Sequence, residues 1–194
     1  MLFRSKLAGK FTEQISISHN DAKNMMDDIL EIDRVNKYKM EKCNIKDLIL
    51  EISNELAFTF PDKIDLKTNF EHRNLAYINP AKIKRVLLNL ISNAIEATGD
   101  RSIKISIDTK DLQNSAFIEI SVMNTGSYIP QEIREMIFSS SYTKKSEHTT
   151  GLGLHICKEI IRKHGGQIRC FSHKIEGLEE SQFTFTVRSS SSEP

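Results

Sequence analysis

The sequence predicts an α+β fold: a two-layer α/β sandwich in which a mixed sheet packs on helices, preceded by one long helix. Two observations predict this class. Strand-like alternation recurs in neighbouring pairs, at 103–109 with 116–123 and at 168–172 with 182–187. Helical periodicity lies between such stretches, at 44–58, from 79 onward and at 152–164. Hairpins mixed with helices fit a mixed sandwich better than a parallel doubly wound sheet.

Residues 11–38 read as one helix, because neither Gly nor Pro interrupts them. Its apolar side chains follow alternating three- and four-residue steps once Ser18 is counted, which is a coiled-coil-like seam: Ile15, Ala22, Met25, Ile29 and Ile32. A lone amphipathic helix must bury such a stripe on a partner. Packing on the following domain is one possibility. We favour a dimerisation bundle, and hence a homodimer, because the seam extends beyond the globular part of the chain.

The following elements are bounded by turn and cap residues. Asn44 or Asp47 can cap a helix that Pro61 closes, and strands are expected at 64–70 and 75–78. Asn79-Pro80 then starts a long helix with a broad apolar face.

The C-terminal half continues the alternation of strands and helices. A polar turn at 111–114 joins the first strand pair, and a short helix is expected after Pro130. An aperiodic loop covers 139–150. The helix at 152–164 ends at Gly165, and His164 is expected to complement its dipole there. The predicted division is a bundle helix in 1–43, a globular domain in 44–188 and a disordered tail in 189–194.

Composition excludes several classes of protein. Of the 194 residues, 39% are hydrophobic and 27% charged, and the net charge is +1, so neither nucleic acid nor an anionic membrane is an indicated partner. No run of about 18 apolar residues could span a bilayer, and the first residues hold no signal-peptide core. The three cysteines form an odd set without metal or redox spacing, which favours a reducing compartment. We expect a cytoplasmic chain without direct membrane contact.

Two asparagines carry the first functional signal. Asn89 and Asn93 lie four residues apart on the long helix, so both side chains leave the same face. Their amide oxygens could serve Mg²⁺, which prefers oxygen ligands and keeps water and phosphate in its shell. Taken alone, such a pair is more often solvated or capping.

Three further segments complete a nucleotide pocket. Asn124-Thr-Gly126 is a turn that can meet a base, and 137–145 forms a polar, basic loop. Gly151-Leu-Gly153-Leu154 is a glycine turn opening a helix, where free N–H groups suit phosphate. Each segment alone is weak evidence for a nucleotide pocket. The fixed order of the segments makes the combined signal specific.

At these four segments the chain resembles the ATP-binding domain of sensor histidine kinases, in the GHKL superfamily of gyrase-type, Hsp90-type and MutL-type ATPases. The resemblance covers about 44–188 well and 11–40 weakly. It implies a Bergerat-type sandwich and transfer of the ATP γ-phosphate to a bundle histidine, then to an aspartate of a response-regulator receiver domain. We expect the chain to begin partway through the bundle, and to be cytoplasmic or the cytoplasmic part of a membrane-anchored sensor.

The resemblance also implies a role for each matching residue, with ATP and Mg²⁺ as the bound groups. Asn93 would be the Mg²⁺ ligand, Asn124 would meet the adenine amine, and Lys145 would reach the phosphates. Asn89 and Lys145 are the expected catalytic residues, acting by positioning and charge. The expected nucleotide-binding set is Asn89, Asn93, Asn124, Gly126, Tyr142, Thr143, Lys145, Gly151, Leu152, Gly153, Leu154 and Ser181.

Departures from the family pattern leave alternatives open. Hydrolysing relatives carry a glutamate at Asn89 as general base, so the asparagine points to phosphoryl transfer. Asn124 replaces an aspartate, while Tyr128 and Thr149 replace glycines, and these changes would also suit a catalytically degenerate docking module for a receiver or phosphotransfer partner. An ATPase or serine-directed kinase is a further rival. His19 loosely matches a phosphoacceptor box, but it leaves no second bundle helix after it, so the acceptor is expected outside this chain.

Overall fold

The computed structural model describes residues 39–60, 63–98, 102–112, 116–140, 142 and 152–190. The helix predicted at 11–38 lies outside the described residues. Helices and strands alternate in the described part, and a five-stranded sheet packs on the helices. The expectation of an α+β two-layer sandwich with a mixed sheet is confirmed.

In the part of the chain that the structure describes, three α-helices form one layer. Helix α1 (Ile45–Thr59) begins where the side chain of Asn44, one of the two caps that the sequence allowed, accepts a hydrogen bond from the backbone N–H of Lys46. Helix α2 (Pro80–Thr98) is the longest, and helix α3 (Gly153–Lys163) precedes the predicted Gly165 stop, where φ is +71°.

The sheet contains strands β2 (Ile64–Phe70), β4 (Ile103–Asp111), β5 (Phe117–Thr125), β6 (Ile168–Ile175) and β7 (Leu178–Arg188). Their order is β2-β4-β5-β7-β6, with β2 and β4 parallel and every other pair antiparallel. Two short antiparallel strands, β1 (Glu41–Cys43) and β3 (Ala76–Ile78), form a second sheet. The parallel pair needs a crossover connection, and α2 lies within it.

The core lies between the sheet and the helices. Alternate residues of β4 and β5 are buried, as expected for an antiparallel pair with one face on the core. The apolar stripe of α2 covers that face with fully or almost fully buried side chains: Ile83, Val86, Leu87, Leu90, Ile91 and Ala94. This burial fixes the rotation of α2, and it leaves Asn89 and Asn93 half-buried beside the stripe.

Two described regions have a secondary structure that differs from the prediction. The short helix expected after Pro130 is instead a pair of 3₁₀ turns, Gln131–Ile133 and Met136–Phe138. Strands β6 and β7 extend to a tight turn at Glu176 and Gly177, both of which have positive φ. A two-residue turn of this conformation matches the twist of an antiparallel pair, so the ladder continues to Ile175 and Leu178. The Glu-Gly dipeptide is the local sequence signal for this turn.

The globular domain extends slightly beyond its predicted limits. Strand β1 pairs with β3, although residues 41–43 had been assigned to the bundle segment. At the other end, Ser189 is buried and its N–H donates to the carbonyl of Ala116, while Ser190 donates to the carbonyl of Leu75. Both serines had been placed in the tail. The residues that make these contacts are distant in sequence, so no local sequence pattern predicts them.

Candidate functional site

Helix α2 positions the amide pair predicted to meet a cation. Asn79 lies just before it, and its side chain accepts from the backbone N–H of Lys82, which orients the first turn. Three turns later Asn89 and Asn93 emerge together beside the buried stripe. The predicted relation between the two side chains is therefore present.

The first turn of α3 lies against Asn89. The amide nitrogen of Asn89 is 3.5 Å from the carbonyl oxygen of Gly153, and a methyl group added at Gly153 would lie 3.8 Å from that amide. No described side chain caps the start of α3. The N-terminal N–H groups and positive dipole end of this helix thus lie beside the amide-bearing face of α2, an arrangement suited to an anion.

Asn93 is the polar group in this region that lacks a partner. Its buried amide nitrogen has no hydrogen bond within the described ranges. An unpaired buried amide is costly, so such a group is a sign of a ligand. Because an amide can turn by 180°, this side chain can offer either its nitrogen or its oxygen to that ligand.

The predicted base-contact turn lies at the end of β5. Gly126 has φ of +84°, and a methyl group added there would lie 3.1 Å from the side chain of Thr98, so the turn favours glycine on both counts. Its N–H donates to the carbonyl of Glu179 at 2.7 Å, which ties the turn to β7. The turn is therefore held beside the end of α2.

Asn124 and Ser181 are brought together by the register of the sheet. They are directly paired across β5 and β7, and the Ser181 hydroxyl donates to the Asn124 amide oxygen at 2.9 Å. Ser127, which the sequence analysis did not single out, accepts from the Asn124 amide nitrogen at 2.9 Å. Its position in the Asn-Thr-Gly-Ser turn was the signal that could have revealed it.

The remaining predicted residues divide into two groups. Tyr142, Leu152 and Leu154 are partly buried and pack against the core, so their side chains have a packing role. Thr143, Lys145 and Gly151 lie outside the described residues. The described structure thus brings together Asn89, Asn93 and Gly153 at one place, and Asn124, Gly126 and Ser181 at another.

A buried thiol lies against the amide of Asn89. Cys157 is on α3, with its sulfur 3.7 Å from the amide nitrogen of Asn89. Burial raises the pKa of this thiol to about 12, so it stays protonated and is unsuited to be a nucleophile. No local sequence pattern marks Cys157 as part of the site, and only the packing of α3 on α2 reveals its position.

Comparison with known proteins identifies the family. Residues 78–191, more than half of the chain, match the family model described as histidine kinase-, DNA gyrase B-, and HSP90-like ATPase. The chain belongs to this family. Both groups of described residues lie within the matched range, and a family of ATPases agrees with the predicted nucleotide-binding domain.

Similarity to individual proteins shows which members of this family the chain resembles. The chain is 34% identical to the catalytic domain of histidine kinase ThkA, with a TM-score of 0.66, covering 77% of this chain and 95% of that one. A second ThkA structure, in complex with response regulator protein TrrA, has 29% identity and a TM-score of 0.69, covering 91% of this chain and 50% of that one. The predicted resemblance to histidine-kinase catalytic domains is confirmed.

The chain also matches a part of a much longer protein. It is 27% identical over 189 residues to the sensor protein EvgS of Escherichia coli (strain K12), covering 90% of this chain and 16% of EvgS. The chain therefore spans about a sixth of the length of this relative. Within the described residues, no helix is long and apolar enough to cross a membrane.

Proposed function

We propose that this chain is the nucleotide-binding catalytic part of a sensor histidine kinase, which transfers the γ-phosphate of ATP to a bundle histidine and thence to a response-regulator aspartate. The observation that carries the proposal is the meeting of Asn89 with Gly153, 64 residues apart in sequence. The contact brings the amide-bearing face of α2 to the start of α3, where the backbone N–H groups of a helix can meet an anion.

The described residues fit the groups that the family binds. The buried amide nitrogen of Asn93 has no described partner, so this side chain could turn its oxygen toward Mg²⁺. The N-terminus of α3, which no described side chain caps, suits the phosphates. Within the described ranges no cluster of His, Cys, Asp and Glu could hold a metal. An amide oxygen together with phosphate oxygens and water would therefore supply the ligands. The bound ion would neutralise phosphate charge.

The residue at position 89 decides between transfer and hydrolysis. An asparagine cannot accept a proton from attacking water, whereas a glutamate can. The site is consequently expected to position ATP and stabilise charge, while the acceptor side chain comes from elsewhere. Asn89 would act as a positioning residue at the phosphates, and Lys145 would supply positive charge to them.

The partners follow from the proposed reaction. A response-regulator receiver domain would take the phosphoryl group, which the ThkA structure bound to TrrA supports. A homodimer through the N-terminal segment would present the bundle histidine. We place the chain in the cytoplasm, alone or as the cytoplasmic part of a membrane-anchored sensor.

Calorimetric titration of the full chain with a non-hydrolysable ATP analogue, with and without Mg²⁺, tests the binding step. Magnesium-dependent binding is expected, and the Asn93→Ala variant should weaken it at least about tenfold, while the exposed Asn69→Ala control should not. Absence of binding would instead favour a degenerate docking module. That alternative draws on one observation: the polar atoms of Asn124 already contact Ser127 and Ser181.

Phosphate release separates a kinase from an ATPase. The wild-type chain should release phosphate slowly, and Asn89→Glu should accelerate the release because the carboxylate can accept the proton of water. Rapid release by the wild-type chain would overturn the transfer mechanism. Incubation with γ-labelled ATP tests the acceptor, since the chain should not label itself if its acceptor histidine lies elsewhere.

A further inference from the structure

The amide of Asn124 lies between two hydroxyl groups that also contact each other. The Ser181 hydroxyl donates to the amide oxygen at 2.9 Å, and the amide nitrogen donates to Ser127 Oγ at 2.9 Å. The two hydroxyl oxygens are 2.7 Å apart. Asn124 and Ser181 are buried, with 3% and 2% of their surfaces exposed, while Ser127 is half-buried and forms the more accessible side of this triad.

Both partners of the amide can reverse their roles. A hydroxyl donates one hydrogen and accepts through two lone pairs, so Ser127 and Ser181 satisfy the amide equally well after it turns by 180°. One further contact distinguishes the two orientations: the amide nitrogen also lies 3.3 Å from the carbonyl oxygen of Thr125. That bond is at the long end of the usual range and therefore weak. The two serines accept either orientation, and among the described contacts it is the Thr125 carbonyl, which would face the amide oxygen after the turn, that favours the present one.

The triad leaves hydrogen-bonding capacity on both ends of the amide. Ser181 occupies one of the two acceptor sites of the oxygen. Ser127 takes one hydrogen of the nitrogen, and the other makes the long contact with the Thr125 carbonyl, which an acceptor on a base can replace. The side chain can therefore offer a base an acceptor beside a donor. An adenine edge presents an amine donor beside the N1 acceptor, whereas a guanine or hypoxanthine edge presents the O6 acceptor beside the N1–H donor. One orientation of the amide matches the first edge and the reversed orientation matches the second.

A carboxylate at position 124 would behave differently. It accepts hydrogen bonds and donates none, so both serine hydroxyls would donate to it in one arrangement. It would accept from the amine of adenine, but it would face the O6 oxygen of a 6-oxopurine without a hydrogen between them. An unpaired polar atom at a buried contact is costly, which is how a site rejects the wrong ligand.

We propose that Asn124, held between Ser127 and Ser181, makes the base end of this site permissive, so that the chain binds 6-oxopurine nucleotides such as GTP and ITP as well as ATP. This inference rests on the proposed function, because it assumes that the nucleotide base meets Asn124. Asn124 is then the residue that sets base specificity, and a single amide-to-acid change restores discrimination.

Competition calorimetry on the full chain tests the inference with non-hydrolysable analogues of ATP and GTP, and with ITP, in the presence of Mg²⁺. For the wild-type chain, the Kd values for ATP and the 6-oxopurine nucleotides should agree within about tenfold. Asn124→Asp should tighten ATP binding and widen the GTP-to-ATP ratio by more than about tenfold. The control Asn69→Asp, which adds the same charge on an exposed strand position, should leave the ratio unchanged.

The outcomes separate the two proposals. Tight binding of ATP together with binding of GTP and ITP more than about a hundredfold weaker would overturn the inference and leave the proposed function intact. Failure of every nucleotide to bind would overturn the proposed function and the inference with it. The wild-type ratio decides the matter even if Asn124→Asp does not fold, because that ratio is measured without the variant.

Discussion

The backbone N–H of Asn79 donates a hydrogen bond of 3.0 Å to Nε2 of His164, 85 residues later in the sequence. The Nδ1–H of the same ring donates to the carbonyl of Ile160 at 2.7 Å. This buried imidazole thus connects the start of α2 with the end of α3, the helices that carry Asn89 and Gly153. Because a backbone N–H can only donate, Nε2 must be unprotonated. His164 lies at the end of α3, as predicted, and it meets the helix terminus as a neutral donor to the Ile160 carbonyl, because burial lowers its pKa.

Stability should depend on pH through His164. Its pKa in the folded protein lies below the ordinary 6.5, so the unfolded chain binds more protons as the solution is acidified. The contribution is complete above about pH 6.5 and is lost as the pH falls toward the folded-state pKa. His164→Leu should cost about 2 kcal/mol of unfolding free energy at neutral pH, because it leaves the Asn79 N–H unpaired.

Chemical denaturation at several pH values between about 7.5 and 5 measures this effect. The difference between the wild-type protein and His164→Leu should shrink on acidification. His72, whose pKa is also lowered by burial, is present in both proteins and cancels in the comparison. A difference that stays constant over this range would contradict the neutral-imidazole account.

Removal of the Asn93 amide should affect binding without affecting folding. Its buried nitrogen makes no hydrogen bond within the described structure, so Asn93→Ala removes no described partner and should change the unfolding free energy by less than about 0.5 kcal/mol. Thermal melts with and without Mg²⁺ and an ATP analogue test this. The ligand-induced rise in Tm should be largely lost in the variant. An apoprotein destabilised as much as by an ordinary core truncation would show that Asn93 is structural.

Two glycines form a matched pair for separating a site role from a folding role. A methyl group at Gly153 would lie 3.8 Å from Asn89, an ordinary contact, whereas at Gly166 it would lie 1.8 Å from the carbonyl oxygen of Thr186. Gly153→Ala should therefore fold normally and bind nucleotide more weakly, because the added methyl obstructs approach to the helix start. Gly166→Ala should lose about 3 kcal/mol or more of stability. Equal stability losses would refute the distinction.

The three cysteines should differ in reactivity toward a thiol reagent. Burial raises the pKa of Cys157 to about 12 and that of Cys170 to about 11, while Cys43 is half-buried with a smaller rise. We expect a single slowly reacting thiol in the native protein at mildly alkaline pH, and three after unfolding. Cys43→Ser should abolish the native reaction. Native reaction of a second thiol in that variant would mean that α3 separates readily from the sheet and α2.

Much of the secondary structure follows from local patterns. The side-chain cap at Asn44, the alternation over Ile64–Phe70 and the Pro80 start of α2 were each predicted where they lie. Less regular segments were not. The 3₁₀ turns at Gln131–Ile133 and Met136–Phe138 lack a helical stripe of their own. Phe138 is held instead by edge-to-face packing on Phe183 of β7, a contact that no local period reports.

The sequence by itself determined which residue types could serve a nucleotide: amides one helical turn apart, a glycine turn at the end of a strand, and a glycine-opened helix. These are local matters of spacing, backbone freedom and donor chemistry. Tertiary structure alone decided that Gly153 faces Asn89, that Ser127 and Ser181 enclose Asn124, and that His164 joins α2 to α3. Such contacts depend on sheet register and on how buried helix faces rotate against the core, and burial of apolar surface across the whole domain sets both.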